Sequence, residues 1–494
     1  MTKLWGNKKV AEYLGFIFVL AIASVTRLWN LAFPQKLVFD ETYYVKDALS
    51  LASEGHEKNW PEGADAAFES GDVFSYLSDP AFVVHPPFGK WLIATGMWLL
   101  GPDNATGWRI STAVLGIATV ALLMLVAYKL FRSTKLALAA GFLMAIDGMA
   151  ITMSRTALLD APLTFFLLLG FLFFLIDNKQ SRLRIGYAIQ QGKSTLLWFR
   201  PWLVLAGLTL GAASAIKWSG VYLLAAIGLY VVFSEILLRR DSGEKSWART
   251  GLLAQGVISF ASLVPVAVAT YILSWLGWIN TSGGYSRNWA EENSLPGIFG
   301  ALPGWAQSLW NYHEVIYKFH VNLSEDHSYQ AHPITWLLGL RPTAFFYETY
   351  TAGQMGCESD TCSSAITALG NPLISVFATA ALFYLAYRYL KTRERVIGLV
   401  LLGVGALYLP WLLIPERTVF AFYAVSYLPW MILGLVLVMQ ILYRASGGTK
   451  LAKGLVIGFF VVATLVSLFF LPINIGLVMP FEQWQLRMWL PSWI

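Results

Sequence analysis

Charge is scarce in this sequence: 13% of its 494 residues are Asp, Glu, Lys or Arg, against 57% hydrophobic. The length would suit several soluble domains, and that scarcity excludes them. Cysteine is nearly absent. The two present, Cys357 and Cys362, lack the spacing of a CxxC redox pair, and no other cysteine exists to complete a zinc site. There is no phosphate-cradling P-loop, no Gly-rich dinucleotide fingerprint and no GxSxG elbow. Those absences argue against a nucleotide-driven pump and a serine hydrolase. Fixed-period repeats, low-complexity tracts and an appended soluble domain are missing too. The net charge of +6 is modest and follows topology more than any affinity for nucleic acid.

What abounds is apolar sequence in runs of roughly 17–25 residues, the length that crosses a hydrocarbon core about 30 Å thick. The chain reads as an all-α polytopic membrane protein forming a single transmembrane domain over 1–494. About eleven spans are expected near 12–33, 107–131, 135–153, 161–176, 200–216, 219–238, 251–279, 371–390, 396–414, 418–443 and 454–477. Lys3, Lys8 and Lys9 precede the first run without a small-residue cleavage site, so the start reads as a cytoplasmic lead-in to a retained helix. With the N-terminus inside, roughly 22 of the 35 basic residues fall on inner connections, against roughly 6 of the 29 acidic ones. An even number of spans would break that pattern halfway.

Two long outer segments remain, 34–106 and 280–370. The first carries Asp40-Glu41 directly after a membrane-length run, then His85-Pro86-Pro87-Phe88-Gly89-Lys90. Pro86-Pro87 forbids a continuous helix there, and the short Trp91–Leu100 stretch reads as an interfacial helix. The second holds His313, His320, His327 and His332, without the spacing of a helical zinc pair. It would serve as a lid or an acceptor platform. Both cysteines lie in it, where a disulfide closing a short loop and a pair of buried thiols are both open.

Three basic residues break the inside rule. Arg155, Lys217 and Arg417 stand at outer span ends, on three different span pairs. Snorkelling to lipid phosphates explains any one of them; together they favour a shared anionic ligand. A carboxylate among cations beside a bilayer suits transfer from a lipid-phosphate carrier. The cations stabilise the leaving phosphate, which departs without a general acid because its second pKa is about 6. One base then suffices to deprotonate an acceptor hydroxyl, and direct displacement inverts the sugar centre.

If a helix starts here, Asp40 aligns with Tyr44 and Asp47 while Glu41 turns towards Val45 and Ala48. Asp40 is the expected base, with a plain helix N-cap as its alternative. Glu41 would order the loop or bind the sugar. His85 and Lys90 would contact phosphate or pin the loop. Asp160 would join the site or simply start its helix, and Asp147 and Arg109 fit a structural ion pair as well as function.

These residues resemble a family, the protein O-mannosyltransferases of the GT-C type. The resemblance rests on Asp40-Glu41, His85-Pro86-Pro87-Phe88-Gly89-Lys90, Ser154-Arg155 with Leu158-Leu159-Asp160, and Lys217-Trp218-Ser219-Gly220. It continues in His327-Ser328-Tyr329 with Pro333, Trp336 and Arg341-Pro342, and Arg27 and Arg109 fall where the family has arginines. The resemblance implies a GT-C architecture, a polyprenyl-phosphate-mannose donor, and Ser/Thr hydroxyls of exported, unfolded or translocating proteins as acceptors. It implies inversion with Asp40 as base, no required cofactor (a divalent cation staying open), and the Sec translocon as an expected neighbour. Segment 280–370 is too short for the β-trefoil domain of eukaryotic members, so the chain looks like the bacterial, actinobacterial form in a plasma membrane. Competing readings are another GT-C transferase moving aminoarabinose or arabinofuranose, and a transporter or lipid flippase. The last would place its charges near the midplane rather than at span ends.

Overall fold

A computed structural model describes residues 2–494, with side chains from Lys9 onward, so the side chains of Lys3 and Lys8 lie outside those described. The chain forms two compact units, one of Met1–Val84, Lys90–Pro162 and Gly277–Ile494, the other of His85–Gly89 and Leu163–Leu276.

The first unit begins with α1 (Thr2–Leu28), α2 (Glu41–Glu54), α3 (Ala64–Glu69), α4 (Phe88–Leu100), α5 (Ala105–Phe131), α6 (Thr134–Ile146) and α7 (Gly148–Arg155). Asn104 and Ser133 cap α5 and α6 through their side chains. The expected third span is broken, because α6 and α7 meet at a 62° bend. Asp147 causes it. Its backbone is extended, one carboxylate oxygen accepts from the Ala150 N–H and the other from the Asn371 N–H, both at 3.0 Å. A carboxylate so deep in an apolar segment needs donors, and a helix start supplies them. Arg27, fully buried, closes the other half of the break by donating to the Met144 and Ala145 carbonyls at the end of α6.

The second unit contains most of α8 (Asp160–Gln190), with α9 (Pro201–Ser214), α10 (Gly220–Asp241), a π-helical turn at Arg249–Gln255 and α11 (Gly256–Ser274). Gly207 and Gly211, one turn apart on α9, lie against α11. A Cβ on either would stand 2.5 Å from the carbonyl oxygen of Leu263 or Ala267. This is the close small-residue packing that joins helices where no hydrophobic force separates protein from lipid. At one end of the unit, buried Arg200 donates to Asp177 at 2.5 Å and pairs with Glu235 at 2.8 Å and Ser259 at 2.7 Å. That cluster ties α8, α10 and α11 together.

The first unit resumes with α12 (Leu276–Asn280), α13 (Trp289–Glu292), α14 (Gly304–Asn322), α15 (Pro372–Thr392), α16 (Arg395–Tyr408), α17 (Leu428–Ala445), α18 (Lys450–Ile475) and α19 (Phe481–Gln485). A small antiparallel sheet, β1 (Ala344–Thr351), β2 (Thr361–Thr367) and β3 (Met479–Pro480), interrupts the helices. An all-α expectation left this sheet out, although the aromatic and β-branched residues of Ala344–Thr351 suit a strand. The Cys357–Cys362 disulfide ties the turn after β1 to the start of β2.

Among the described residues nine helices are long and apolar enough to cross a membrane, or ten with the bent α6–α7 pair. The expected eleven is not reached, because α9 has only 14 residues. The tenth span starts at Leu428 rather than near residue 418: residues 418–427 run through an extended stretch and the short 3-10 turn Ala421–Ser426. That irregular stretch matters for the site.

Candidate active site

Asp40 is the residue before α2, the position where a carboxylate ordinarily caps a helix. It makes no such bond. The reason is the turn that precedes it. Phe39 adopts a left-handed backbone at φ +51°, and the resulting tight turn feeds backbone carbonyls to every early N–H of α2. Glu41 N–H donates to Val38, Thr42 N–H to Phe39, and those of Tyr43 and Tyr44 to the backbone oxygen of Asp40. The helix start is satisfied without a side chain, so the half-buried carboxylate of Asp40 stays off it. A left-handed non-glycine residue costs about 1–2 kcal/mol. Contacts to its ring offset this: Phe39 stacks on Phe345 at 4.9 Å and meets Phe420 and Phe422 edge-on at 5.6 and 5.7 Å.

Glu41 does the opposite job. It is fully buried, and its two oxygens accept four hydrogen bonds, from Arg109 Nε (2.8 Å) and Nη2 (2.7 Å), Ala157 N–H (2.7 Å) and Val38 N–H (3.0 Å). Arg109 also donates to the carbonyls of Leu31, Pro34 and Lys36. One buried ion pair thereby joins the end of α1, the Asp40 turn, α5 and the segment leading to α8. Val45 and Ala48 are fully buried on the same side of α2 as Glu41. With four donors on its two oxygens, Glu41 anchors the turn that carries Asp40.

The other face of α2 presents Tyr44 and Asp47. Burial, then the charges of Asp40 and Asp160, push the Tyr44 hydroxyl well above its usual pKa, so it stays a neutral donor. Asp160 is buried at the first residue of α8. Lys90 is buried as well and pairs with Glu57 and, at 3.8 Å, with Asp47. Its charge is engaged by carboxylates, not held for a phosphate. Burial raises Asp47 to about 7, the Glu57 charge adding to this and Lys90 and Lys46 opposing it. Because the native carboxyl holds its proton more tightly than the unfolded one, the stability from this group is full below pH 3.8 and is lost as pH rises to about 7. Asp47→Asn should therefore raise the Tm at pH 8 more than at pH 5 in detergent. An equal change at both values would remove Asp47 as the source.

The expected cations separate. Arg155 spends its terminal nitrogens on the carbonyls of Thr26, Arg27, Trp29 and Asn30, with the Trp29 bond at 2.7 Å. It binds carbonyls at the end of α1 and in the turn that follows. Lys217, 8% exposed, and half-buried His85 belong to the second unit, Lys217 in the α9–α10 turn and His85 beside Pro86-Pro87. Arg417 is different. Its guanidinium lies 5.7 Å over Trp411, while Nε donates to the His320 carbonyl and Nη2 to His320 Nδ1. Nη1 makes no hydrogen bond to a described residue.

Aromatic rings wall the Asp40 turn. Exposed His327 meets Phe420 at 4.9 Å and Phe39 at 6.2 Å. Trp336 is 2% exposed, donates to the Ala331 carbonyl, and packs on Trp411 and Tyr423. Sequence reading gave no role to Phe39, Glu57 and Tyr423, and met His320 only as one of four outer histidines. Only the positions of Asp47 and Tyr44 on one helical face gave a signal beforehand.

Two families match. One described as "Dolichyl-phosphate-mannose-protein mannosyltransferase" covers residues 74–275, and the "C-terminal four TMM region of protein-O-mannosyltransferase" covers 305–493. A polyprenol-phosphate-mannose–protein mannosyltransferase of Mycolicibacterium smegmatis is 32% identical over 96% of this chain and 92% of its own. One from Corynebacterium glutamicum is 30% identical over 92% of this chain and 88% of its own. In structure, the chain is similar to the Saccharomyces cerevisiae protein O-mannosyltransferase Pmt1-Pmt2 complex bound to the sugar donor. The TM-score is 0.73 at 15% identity, over 98% of this chain and 93% of that one. That likeness is one of fold.

Proposed function

The chain belongs to the protein O-mannosyltransferase family, and we propose that it transfers mannose from polyprenyl-phosphate-mannose to Ser/Thr hydroxyls of exported proteins. The acceptors are unfolded or translocating chains delivered by the Sec translocon. The reaction runs at the outer face of the plasma membrane, with the N-terminus cytoplasmic. The observation that carries this reading is the division between adjacent carboxylates: Glu41 is consumed by four hydrogen bonds, whereas Asp40 is kept off the helix start it precedes.

In the reaction, a carboxylate oxygen of Asp40 takes the proton of the acceptor hydroxyl as that oxygen attacks the sugar carbon. The bond from that carbon to the phosphate oxygen breaks, and the electron pair leaves with polyprenyl phosphate. Arg417, with Nη1 uncommitted, is the cation assigned to that phosphate. No second carboxylate is needed as acid, in contrast to a glycosidase pair.

The test is a transfer assay with purified protein, polyprenyl-phosphate-mannose and a Ser/Thr-rich peptide. Arg417→Ala should raise the donor KM about tenfold, the worth of one charge-assisted hydrogen bond, and leave the peptide KM unchanged. An unaltered donor KM would remove Arg417 from the phosphate site. No transfer by the wild-type protein would overturn the reading itself.

A further inference from the structure

The helix α14 reaches the end of the first long loop at two points on one face. Tyr312, 1% exposed, has its hydroxyl 3.0 Å from the Val83 N–H, which it accepts, and donates back to the Val83 carbonyl at 3.3 Å. Two turns on, His320 Nε2 lies 2.9 Å from the Val84 carbonyl. Its other nitrogen, Nδ1, lies 2.9 Å from Arg417 Nη2. These partners fix the protonation state. A carbonyl only accepts, so Nε2 carries the proton; a guanidinium only donates, so Nδ1 is bare. The imidazole is neutral, in a single tautomer, and its ring orientation is set from both sides.

Arg417 is held there by more than the ring. Its neighbour Thr418 donates its N–H to the Leu323 carbonyl just past α14, and the Ala331 N–H donates to Val419. The backbone path from Arg417 thus runs along the end of α14 into Phe420, which touches Phe39 beside Asp40. Within that frame, the side chain of Arg417 has only His320 and the face of Trp411 to choose its rotamer. An unrestrained arginine carries rotamer entropy that a ligand would otherwise have to overcome on binding.

We propose that His320 is a positioning residue for donor binding. Its neutral imidazole, anchored on Val84, accepts from Nη2 of Arg417 and so presents Nη1 to the phosphate of the lipid-linked sugar. This rests on the assignment of Arg417 to that phosphate.

The experiment measures donor and peptide KM, kcat and Tm for the full chain in nanodiscs, using polyprenyl-phosphate-mannose and the Ser/Thr peptide. His320→Ala should raise the donor KM about five- to tenfold with the peptide KM and Tm close to wild type. His320→Asn, which returns a polar acceptor near the place of Nδ1 but cannot reach Val84, should recover most of the donor KM. A donor KM unchanged in His320→Ala, or a loss of Tm and of both KM values together in both variants, would overturn the proposal. Arg417→Ala in the same series separates the two layers. If it leaves the donor KM intact, the phosphate assignment fails; if it raises the KM while the His320 variants do not, only the positioning role fails.

Discussion

Asp40→Asn should abolish mannosyl transfer while leaving the fold intact. The amide has the shape of the carboxylate and cannot take a proton, so the attacking hydroxyl loses its base. General base catalysis is worth roughly a hundred- to ten-thousandfold, and the residual rate should fall by at least about a thousandfold. Fold preservation is expected because the early N–H groups of α2 are satisfied by backbone carbonyls, not by this side chain. Were Asp40 a plain N-cap, the same change would cost little activity and little stability, since Asn caps about as well as Asp. Activity and Tm, measured together, distinguish the cases. Wild-type-like turnover would remove Asp40 as base.

The second large effect is on stability. Arg109→Leu leaves Glu41 fully buried with its counter-charge gone. Breaking one side of a buried ion pair costs about 3–5 kcal/mol, and the carbonyls of Leu31, Pro34 and Lys36 lose their donor as well. The variant should fail to accumulate, or show a Tm lowered by several degrees. Glu41→Gln keeps one accepting oxygen, gives up the charge and turns its amide N–H groups towards two of the four donors, so it should fall between, losing activity in step with stability. The contrast with Asp40→Asn, where activity goes alone, is the signature of a positioning carboxylate beside a reacting one. Glu41→Gln with wild-type stability and no activity would contradict this division.

Much of this was legible in the sequence because it is local. Residues Glu41, Val45 and Ala48 share a helical face by spacing alone, and burial of the last two sends Glu41 inward. The apolar runs located the helices for the same reason. The contacts that decide each cation's task are not local. Arg155 marked itself by standing where arginine is not expected, yet its partners are carbonyls at the end of α1. Lys90 meets Glu57, and Arg417 meets His320, across loops that no periodicity relates. The break at Asp147 was hidden because α6 and α7 taken together are long and apolar enough to read as one span. The aromatic wall joins residues 39, 327, 345, 420 and 422, of which only His327 stood out in its own stretch. The sheet was overlooked because its strands are short beside the long helices around them.

The most direct test of the mechanism is the anomeric configuration of the product peptide, read by NMR after reaction with a donor of known configuration. A single base and direct displacement predict inversion at the sugar carbon. Retention would require a covalent sugar intermediate on a second carboxylate, a task the four hydrogen bonds to Glu41 leave no room for, and would contradict the account.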